Sequence, residues 1–477
     1  MDVLADQESN FYYQTKSVCP ECLEVVDCRI AAIGESVYMF KSCPSHGDFK
    51  ELIYSDRNSF EKGLASDRPG SKPNHYLGSI SSGCPYDCGI CPDHRQHTCV
   101  GIIEITDQCN LKCPVCYAGD GNSFDLPFWR TQELIDLYIK CENNPEVLQI
   151  SGGEPTLHPD IFRILKYASQ KRIKYILLNT NGIKLADYDF CQKIALAMKN
   201  DNLSSAKPIV YLQFDGFSDD ASRTLRGEAL TEIKLKAIEN CRACGLTVAL
   251  VPTIATGVNE DEIGNILDLA LGDNNIKMIN FQPYCNAGRA EISRELGRTT
   301  IPDITKEIEK ASGHRLTHNS FMNVPCPHPS CSVSSYVYSG KDSTIELNSI
   351  LKKERLVSKI SDRATPHSGI TEDLRSATNA LFSMSAIMGS KKIDEAIFTL
   401  FGISVPNIRK IVDNITLISV HAFMDSFNFD IERAKKCCIT QILPNGKMIP
   451  FCVYNVIYRH KMKDGFTTIP KEITVGK

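Results

Sequence analysis

No stretch of the chain holds the roughly twenty consecutive apolar residues that a membrane-spanning helix needs, so the sequence predicts none. The first thirty residues carry Asp2, Asp6, Glu8 and Lys16 in place of an apolar run, which predicts that no secretory signal is present. A basic excess is missing too. The formal net charge is -4, so there is no electrostatic footprint for a nucleic-acid partner. Internal repeats and low-complexity tracts are absent. Together these absences predict a cytoplasmic protein that at most lies against a membrane surface.

Cysteine, by contrast, is abundant: 21 of 477 residues. The count is odd, no signal precedes it, and many cysteines recur at gaps of two or three. That pattern suits metal-bound thiolates in a reducing compartment better than disulfides. The length leaves room for two or three domains, and 42% apolar residues suffice for real cores.

Composition shifts divide the chain. Residues 1–75 hold two short Cys-rich knuckles around a strand-like run, Val37-Tyr38-Met39-Phe40, and end in a polar linker at 66–73. A second Cys-rich segment fills 76–100. Over 101–300, apolar runs alternate with amphipathic helices. Strands are predicted at 100–105, 147–151, 175–178, 210–214, 248–253 and 278–282, and helices at 132–141, 159–169, 230–244 and 260–271. Six strands with right-handed helical crossovers predict an α/β fold, a parallel sheet curled into a partial (β/α)6 barrel. Beyond 300 this regularity is lost, and 301–477 reads as a separate C-terminal region with two more Cys clusters around a helical stretch at 372–401.

The first predicted strand leads into Cys109-Asn110-Leu111-Lys112-Cys113-Pro114-Val115-Cys116. Three cysteines at such gaps can hold three corners of a [4Fe–4S] cube and leave the fourth iron open. No fourth cysteine lies in that loop, since the next is Cys141. An open iron can be chelated by the amino and carboxylate groups of S-adenosylmethionine (SAM), and electron transfer would then release a 5′-deoxyadenosyl radical. Three close cysteines alone could also be half a zinc site. The next strand ends in Gly152-Gly153-Glu154-Pro155, where glycines allow close backbone approach and Glu154 can accept from an ammonium. Later strand ends carry Asn179, Asn181 and Asp215, on the catalytic edge of such barrels.

On these residues, 101–285 resembles the radical SAM superfamily. The resemblance implies that Cys109, Cys113 and Cys116 hold the catalytic cluster and that Gly152, Gly153, Glu154, Asn179, Asn181 and Asp215 line the SAM site. Val115 departs from the pattern, for that position is commonly aromatic and packs near the adenine.

Further metal sites are read from spacing. Cys84, Cys88, Cys91 and Cys99 suit a fully ligated auxiliary [4Fe–4S] cluster, with a zinc knob as the alternative. His94 and His97 are left as supporting or surface groups. Cys19, Cys22, Cys43 and His46 have rubredoxin or zinc-ribbon geometry for one mononuclear Fe or Zn, with Cys28 as the alternative to His46. In the tail, Cys326, Cys331, Cys438 and Cys452 could hold a further auxiliary cluster, with Cys437 competing for the place of Cys438. Unligated buried thiols are the alternative there. Cys141, Cys191, Cys241, Cys244 and Cys285 read as core residues.

The layout as a whole resembles the tetraether lipid synthase group, whose relatives include methylases of 7,8-dihydro-6-hydroxymethylpterin. The resemblance implies, first, carbon–carbon coupling between isoprenoid lipid chains, a transferase-type role in lipid biosynthesis with a dry apolar channel. Residues 377–388, with Leu381, Phe382, Met384 and Met388, are candidates to line it. The second reading is methylation of the pterin, with SAM or a folate supplying the carbon and a polar pocket gripping the heterocycle. A non-catalytic iron–sulfur or zinc module is the third. The partners expected are SAM, a lipid or pterin substrate, and an electron donor such as ferredoxin or flavodoxin.

Overall fold

The computed structural model describes residues 10–117, 124–142, 145–199, 206–290, 297–339, 344–350 and 414–459. The candidate channel at 377–388 and the helix at 372–401 lie outside these residues.

The N-terminal region is an antiparallel meander of β1 (Asn10–Val18), β2 (Val25–Ile33), β3 (Ser36–Cys43) and β4 (Gly47–Tyr54), followed by α1 (Arg57–Ala65). Alternation sends Cys28, Ile30 and Ala32 of β2 and Val37 and Met39 of β3 to one face, where they pack with Tyr54 and Phe60. Asp56 caps α1, its carboxylate accepting from the Ser59 amide at 2.8 Å. The two knuckles are the connections β1–β2 and β3–β4, closed at Val18↔Val25 and Cys43↔Gly47.

The barrel is built as the sequence predicts. β5 (Val100–Glu104), β6 (Val147–Ser151), β7 (Tyr175–Thr180), β8 (Lys207–Leu212), β9 (Thr247–Leu250) and β10 (Ile276–Pro283) pair in parallel in that order. Between them run α2 (Phe128–Glu142), α3 (Ile161–Ser169), α4 (Tyr188–Met198), α5 (Asp219–Arg226) with α6 (Thr231–Ala243), and α7 (Ile263–Gly272). The outward strand residues Leu148, Ile150, Ile176, Leu178, Val210, Ile279 and Phe281 are at most 1% exposed under these helices. Inward residues form a second, smaller set around Leu177, Ile209, Tyr211, Ala249, Val251 and Met278. Several inward side chains, among them Gln149, Leu177, Asn179, Ile209, Met278 and Gln282, keep partial exposure. Open space therefore lies in front of the inner face.

After α8 (Ile301–Ala311), the chain returns to the same sheet. β11 (Ser332–Ser339) runs antiparallel to β12 (Ile415–His421), and β12 pairs in parallel with β10. At the opposite edge β13 (Ile439–Ile442) pairs in parallel with β5 and antiparallel with β14 (Met448–Pro450). The change near residue 300 is thus a change of pattern within a continuous sheet. One C-terminal strand is added to each edge of the six, giving eight parallel strands in a row. The meander is fastened on by Lys41, buried on β3, whose ammonium donates to Ser17 Oγ, Val18 O and Ser426 O at 3.1, 2.8 and 2.7 Å. Among the described residues, no helix is long and apolar enough to cross a membrane.

Candidate functional site

Cys109, Cys113 and Cys116 lie on the loop that leaves the C-terminal end of β5, and burial, with the charges of Glu154, Cys113 and Cys116, pushes the Cys109 thiol up to about 11. Their sulfurs do not all fall within 4.8 Å of each other, so the loop is not drawn in around a single ion. Three residues hold it through four hydrogen bonds, three of them to its backbone carbonyls. Asn181 Nδ2 donates to Asn110 Oδ1 at 2.8 Å, and the Glu154 amide donates to Gln108 O at 2.7 Å. Arg289 donates to Cys116 O through its amide at 3.0 Å and to Cys113 O through Nη1 at 2.9 Å. A Cβ on Gly288 would fall on Cys116 O, and one on Gly153 would fall on Gln108 O. The glycine pair of the 152–155 turn therefore lets strand ends and cluster loop pack against each other.

Glu154 is 1% exposed and accepts four donors: Thr156 N at 3.1 Å, Thr156 Oγ1 at 2.6 Å, Thr180 Oγ1 at 2.7 Å and Asn181 N at 2.7 Å. Burial pushes its carboxyl up, and these donors pull it back. Asn179 donates to Ser151 Oγ at 2.9 Å on the inner face. Asp215 is committed within the chain: it accepts Arg226 Nε and Nη2 at 2.8 and 2.7 Å and the Thr253 amide at 2.9 Å, with Lys234 Nζ at 3.5 Å. Burial pushes this carboxyl up, but Arg226 and Lys234 outweigh it and hold it down to about 2. Val115 packs with Leu225 and Ala255.

The meander's knuckles bring Cys19, Cys22, Cys43 and His46 together. Cys22 and Cys43 sulfurs are 3.9 Å apart, and His46 Nδ1 is 3.6 Å from Cys19 Sγ and 3.4 Å from Cys43 Sγ. Tetrahedral coordination with ~2.3 Å metal–sulfur bonds puts sulfurs about 3.8 Å apart, which these separations match. Cys28 is not in this set; it is buried on β2.

The remaining cysteines are regrouped relative to their spacing. Cys99 immediately precedes β5 and Cys438 immediately precedes β13, so the parallel pairing of those strands sets them side by side. Their sulfurs and that of Cys326 lie within 4.8 Å of one another, with Cys326 and Cys438 at 3.4 Å. Cys84, Cys88, Cys91 and Cys99 do not form such a set. Cys84, Cys88, Cys91 and Cys437 do not all fall within that distance either; the Cys88 thiol is pushed up by its hydrogen bond with Cys84, by burial and by the charges of Cys84, Cys91 and Cys437. Cys331 accepts from Arg433 Nε at 3.4 Å, and Cys452 accepts from the Met424 amide at 3.4 Å. His97 presents Nε2 3.8 Å from Cys99 Sγ while its Nδ1 meets Glu142 at 3.1 Å, the carboxylate–imidazole arrangement that orients metal ligands. His94 is buried against Cys437 O at 2.9 Å.

Spacing did not reveal Arg226, Lys234 and Glu142, whereas Gly288-Arg289 is part of the segment that resembles the sixth-strand region of the tetraether lipid synthase group. The inward polar residues of the barrel left a fainter trace: Gln149, Tyr211 and Gln282 interrupt runs that in a parallel sheet are otherwise apolar.

The Radical SAM superfamily pattern matches residues 103–270, and the pattern described as HMPTM N-terminal zinc ribbon domain matches residues 11–55. A curated relative from Methanocaldococcus jannaschii, 7,8-dihydro-6-hydroxymethylpterin dimethyltransferase, is 31% identical over 96% of both chains. The chain belongs to the radical SAM superfamily. It is accordingly an enzyme, and membership implies a [4Fe–4S] cluster and SAM, which the three-thiol loop fits. The Petrotoga mobilis GTP 3′,8-cyclase is 28% identical over 38% of this radical SAM chain and 55% of its own length. Among solved structures, Streptococcus suis SuiB bound to S-adenosylmethionine is 16% identical, with a TM-score of 0.39 over 46% of this chain and 48% of that one.

Proposed function

We infer that this enzyme methylates a pterin of the 7,8-dihydro-6-hydroxymethyl type. The observation that carries the reading is the chemistry of the barrel's inner face. Saturated chain coupling calls for a dry apolar channel, but this face presents amides and hydroxyls. Asn280 Nδ2 and Gln282 Nε2 donate to Tyr211 Oη at 2.5 and 3.4 Å, Ser419 donates to Asn280 Oδ1 at 2.8 Å, and Asn179 meets Ser151. Gln149 shares the face by strand alternation. Such side chains can pair with the alternating donors and acceptors of a pterin edge, while Leu177, Ile209 and Met278 offer apolar surface to the ring plane. The full-length pterin dimethyltransferase relative supports the same substrate class.

Cys109, Cys113 and Cys116 would hold the cluster, which together with bound SAM would supply one-electron cleavage of a sulfonium. The chain's own part is positional. Arg289, Asn181 and Gly153 fix the loop, and Glu154 braces the ends of β6 and β7 against it. The Tyr211–Asn280–Gln282 group orients the heterocycle, and the walls of the barrel limit water around the radical. The thiol sets at Cys99, Cys326 and Cys438, and at Cys84, Cys88, Cys91 and Cys437, are assigned to auxiliary metal centres. The set at Cys19, Cys22, Cys43 and His46 is assigned to a mononuclear Fe or Zn. A low-potential donor of the ferredoxin or flavodoxin class supplies the electron.

The test is an anaerobic reaction with reductant, SAM and a folate one-carbon donor, the labelled carbon being carried by the SAM methyl in one series and by the folate in the other. It is offered the dihydropterin in one vessel and isoprenoid lipid in another. A mass gain of methyl groups on the pterin is expected. Loss of hydrogens with coupling of lipid chains, and an unchanged pterin, would reverse the reading.

A further inference from the structure

The loop that carries Cys113 and Cys116 rests on the turn between α5 and α6. Leu111 and Cys113 pack with Leu230, alongside Cys116 and Ile183, and the Cβ position of Gly227 is 3.6 Å from Lys112 O. Behind this contact lie three charged side chains that solvent scarcely reaches: Arg226 and Lys234 at 3% exposure and Asp215 at 4%. Two cations share one carboxylate, so the group carries one positive charge in excess. A buried charge without a counterion is expensive, and proteins seldom keep one without purpose. Arg226 also donates to Thr253 Oγ1 at 2.9 Å, a neutral partner that adds no counter-charge. The packed contact sets this group against the loop of Cys113 and Cys116, whose thiols its charges reach, and a negative centre held there would balance the excess.

We propose that Arg226 and Lys234, held on Asp215, are positioning residues whose excess positive charge eases one-electron reduction of the cluster at Cys109, Cys113 and Cys116. Reduction places one more negative charge on that centre, with the electron coming from the external low-potential donor. A fixed cation in a low-dielectric setting favours the more negative state, and needs no reorganisation to do so. The inference rests on superfamily membership and is independent of the substrate.

Lys234 is the residue to change, because Arg226 also braces Asp215 in bidentate fashion. Lys234→Met removes the charge and keeps the length, and Lys234→Arg keeps the charge. The readout is a potentiometric titration of the anaerobic, reconstituted full chain followed by electron paramagnetic resonance. The relevant cluster is identified by the change in its signal on adding SAM. Lys234→Met is expected to move the midpoint to more negative potential, with SAM affinity in the oxidised state within about twofold of the parent, and Lys234→Arg is expected to restore the midpoint. If Lys234→Met does not retain iron, Lys234→Gln takes its place, since its amide can still donate to Asp215. An unchanged midpoint with weakened SAM binding would overturn the proposal in favour of a ligand-binding cation. An unchanged midpoint with unchanged SAM binding would leave the lysine a purely structural partner of Asp215 and would equally overturn it.

Discussion

Asp215 shows how much can depend on a single carboxylate. Among the described residues it is the one carboxylate paired with the two buried cations Arg226 and Lys234, so replacing it with the isosteric amide leaves both uncompensated. Breaking a buried pair by removing one partner costs about 3–5 kcal/mol. Asp215→Asn is expected to lose stability of that order in anaerobic urea unfolding, and a loss below 1 kcal/mol (about the net worth of an ordinary hydrogen bond) would contradict it. The pH dependence has a definite sign. The folded-state carboxyl is held down to about 2 against an ordinary 3.8. Its contribution is therefore complete above 3.8 and is lost as the pH falls through 2. Gly153 tests a different constraint. A methyl group there would occupy the space of Gln108 O, and the loop could yield only by moving Cys109. Gly153→Ala is expected to abolish reductive release of 5′-deoxyadenosine while circular dichroism stays that of the parent. Undiminished release would show that the turn is free to shift.

At the scale of elements, the barrel was legible because each crossover repeats one pattern: a short apolar strand, a turn, an amphipathic helix. Predicted and observed strands coincide or differ by a few residues at the ends, as at 147–151 and at 210–214 against Lys207–Leu212. The helices α4 and α5 were not foreseen. α5 is short and highly charged, and its apolar side amounts to Ala221 and Leu225, too little for periodicity to register. The N-terminal meander was legible through its knuckles, whose ligand spacing is fixed by the metal, and through the run Val37-Tyr38-Met39-Phe40 that lies in β3; β1 and β4 mix buried and exposed residues irregularly and left no such trace. That meander invites a metal-removal test. His46 and Cys43 come from the same two-residue-gap knuckle, and a thiol can replace an imidazole in tetrahedral coordination. Removing the ligand by His46→Ala should cost one equivalent of Fe or Zn by elemental analysis, and His46→Cys should retain it. Loss of metal from both variants, or from neither, would exclude His46 as a ligand.

At the scale of the whole molecule, the auxiliary cysteines were the least legible feature. Spacing groups neighbours in sequence and so joined Cys99 to Cys84, Cys88 and Cys91. The fold groups neighbours in space: β13 returns beside β5 after more than three hundred residues, and Cys438 arrives against Cys99 through Cys99 N donating to Cys438 O at 2.9 Å. Adjacent cysteines are parted by the same event. Cys438 turns to Cys99 and Cys326, while Cys437 interacts with Cys88 from the other set. A prediction follows from the logic of coupled sites, in which changes within one centre are non-additive and changes in separate centres add. Cys99→Ala and Cys438→Ala should each lower iron and labile sulfide by the same amount, and the double variant should lose no more than either single one. Cys88→Ala combined with Cys99→Ala should lose the sum of the two. Each of these variants should still release 5′-deoxyadenosine, because Cys109, Cys113 and Cys116 are untouched, while methylated pterin is lost. Additivity of Cys99 with Cys438, or its absence between Cys88 and Cys99, would return the cysteines to the grouping that spacing alone suggests.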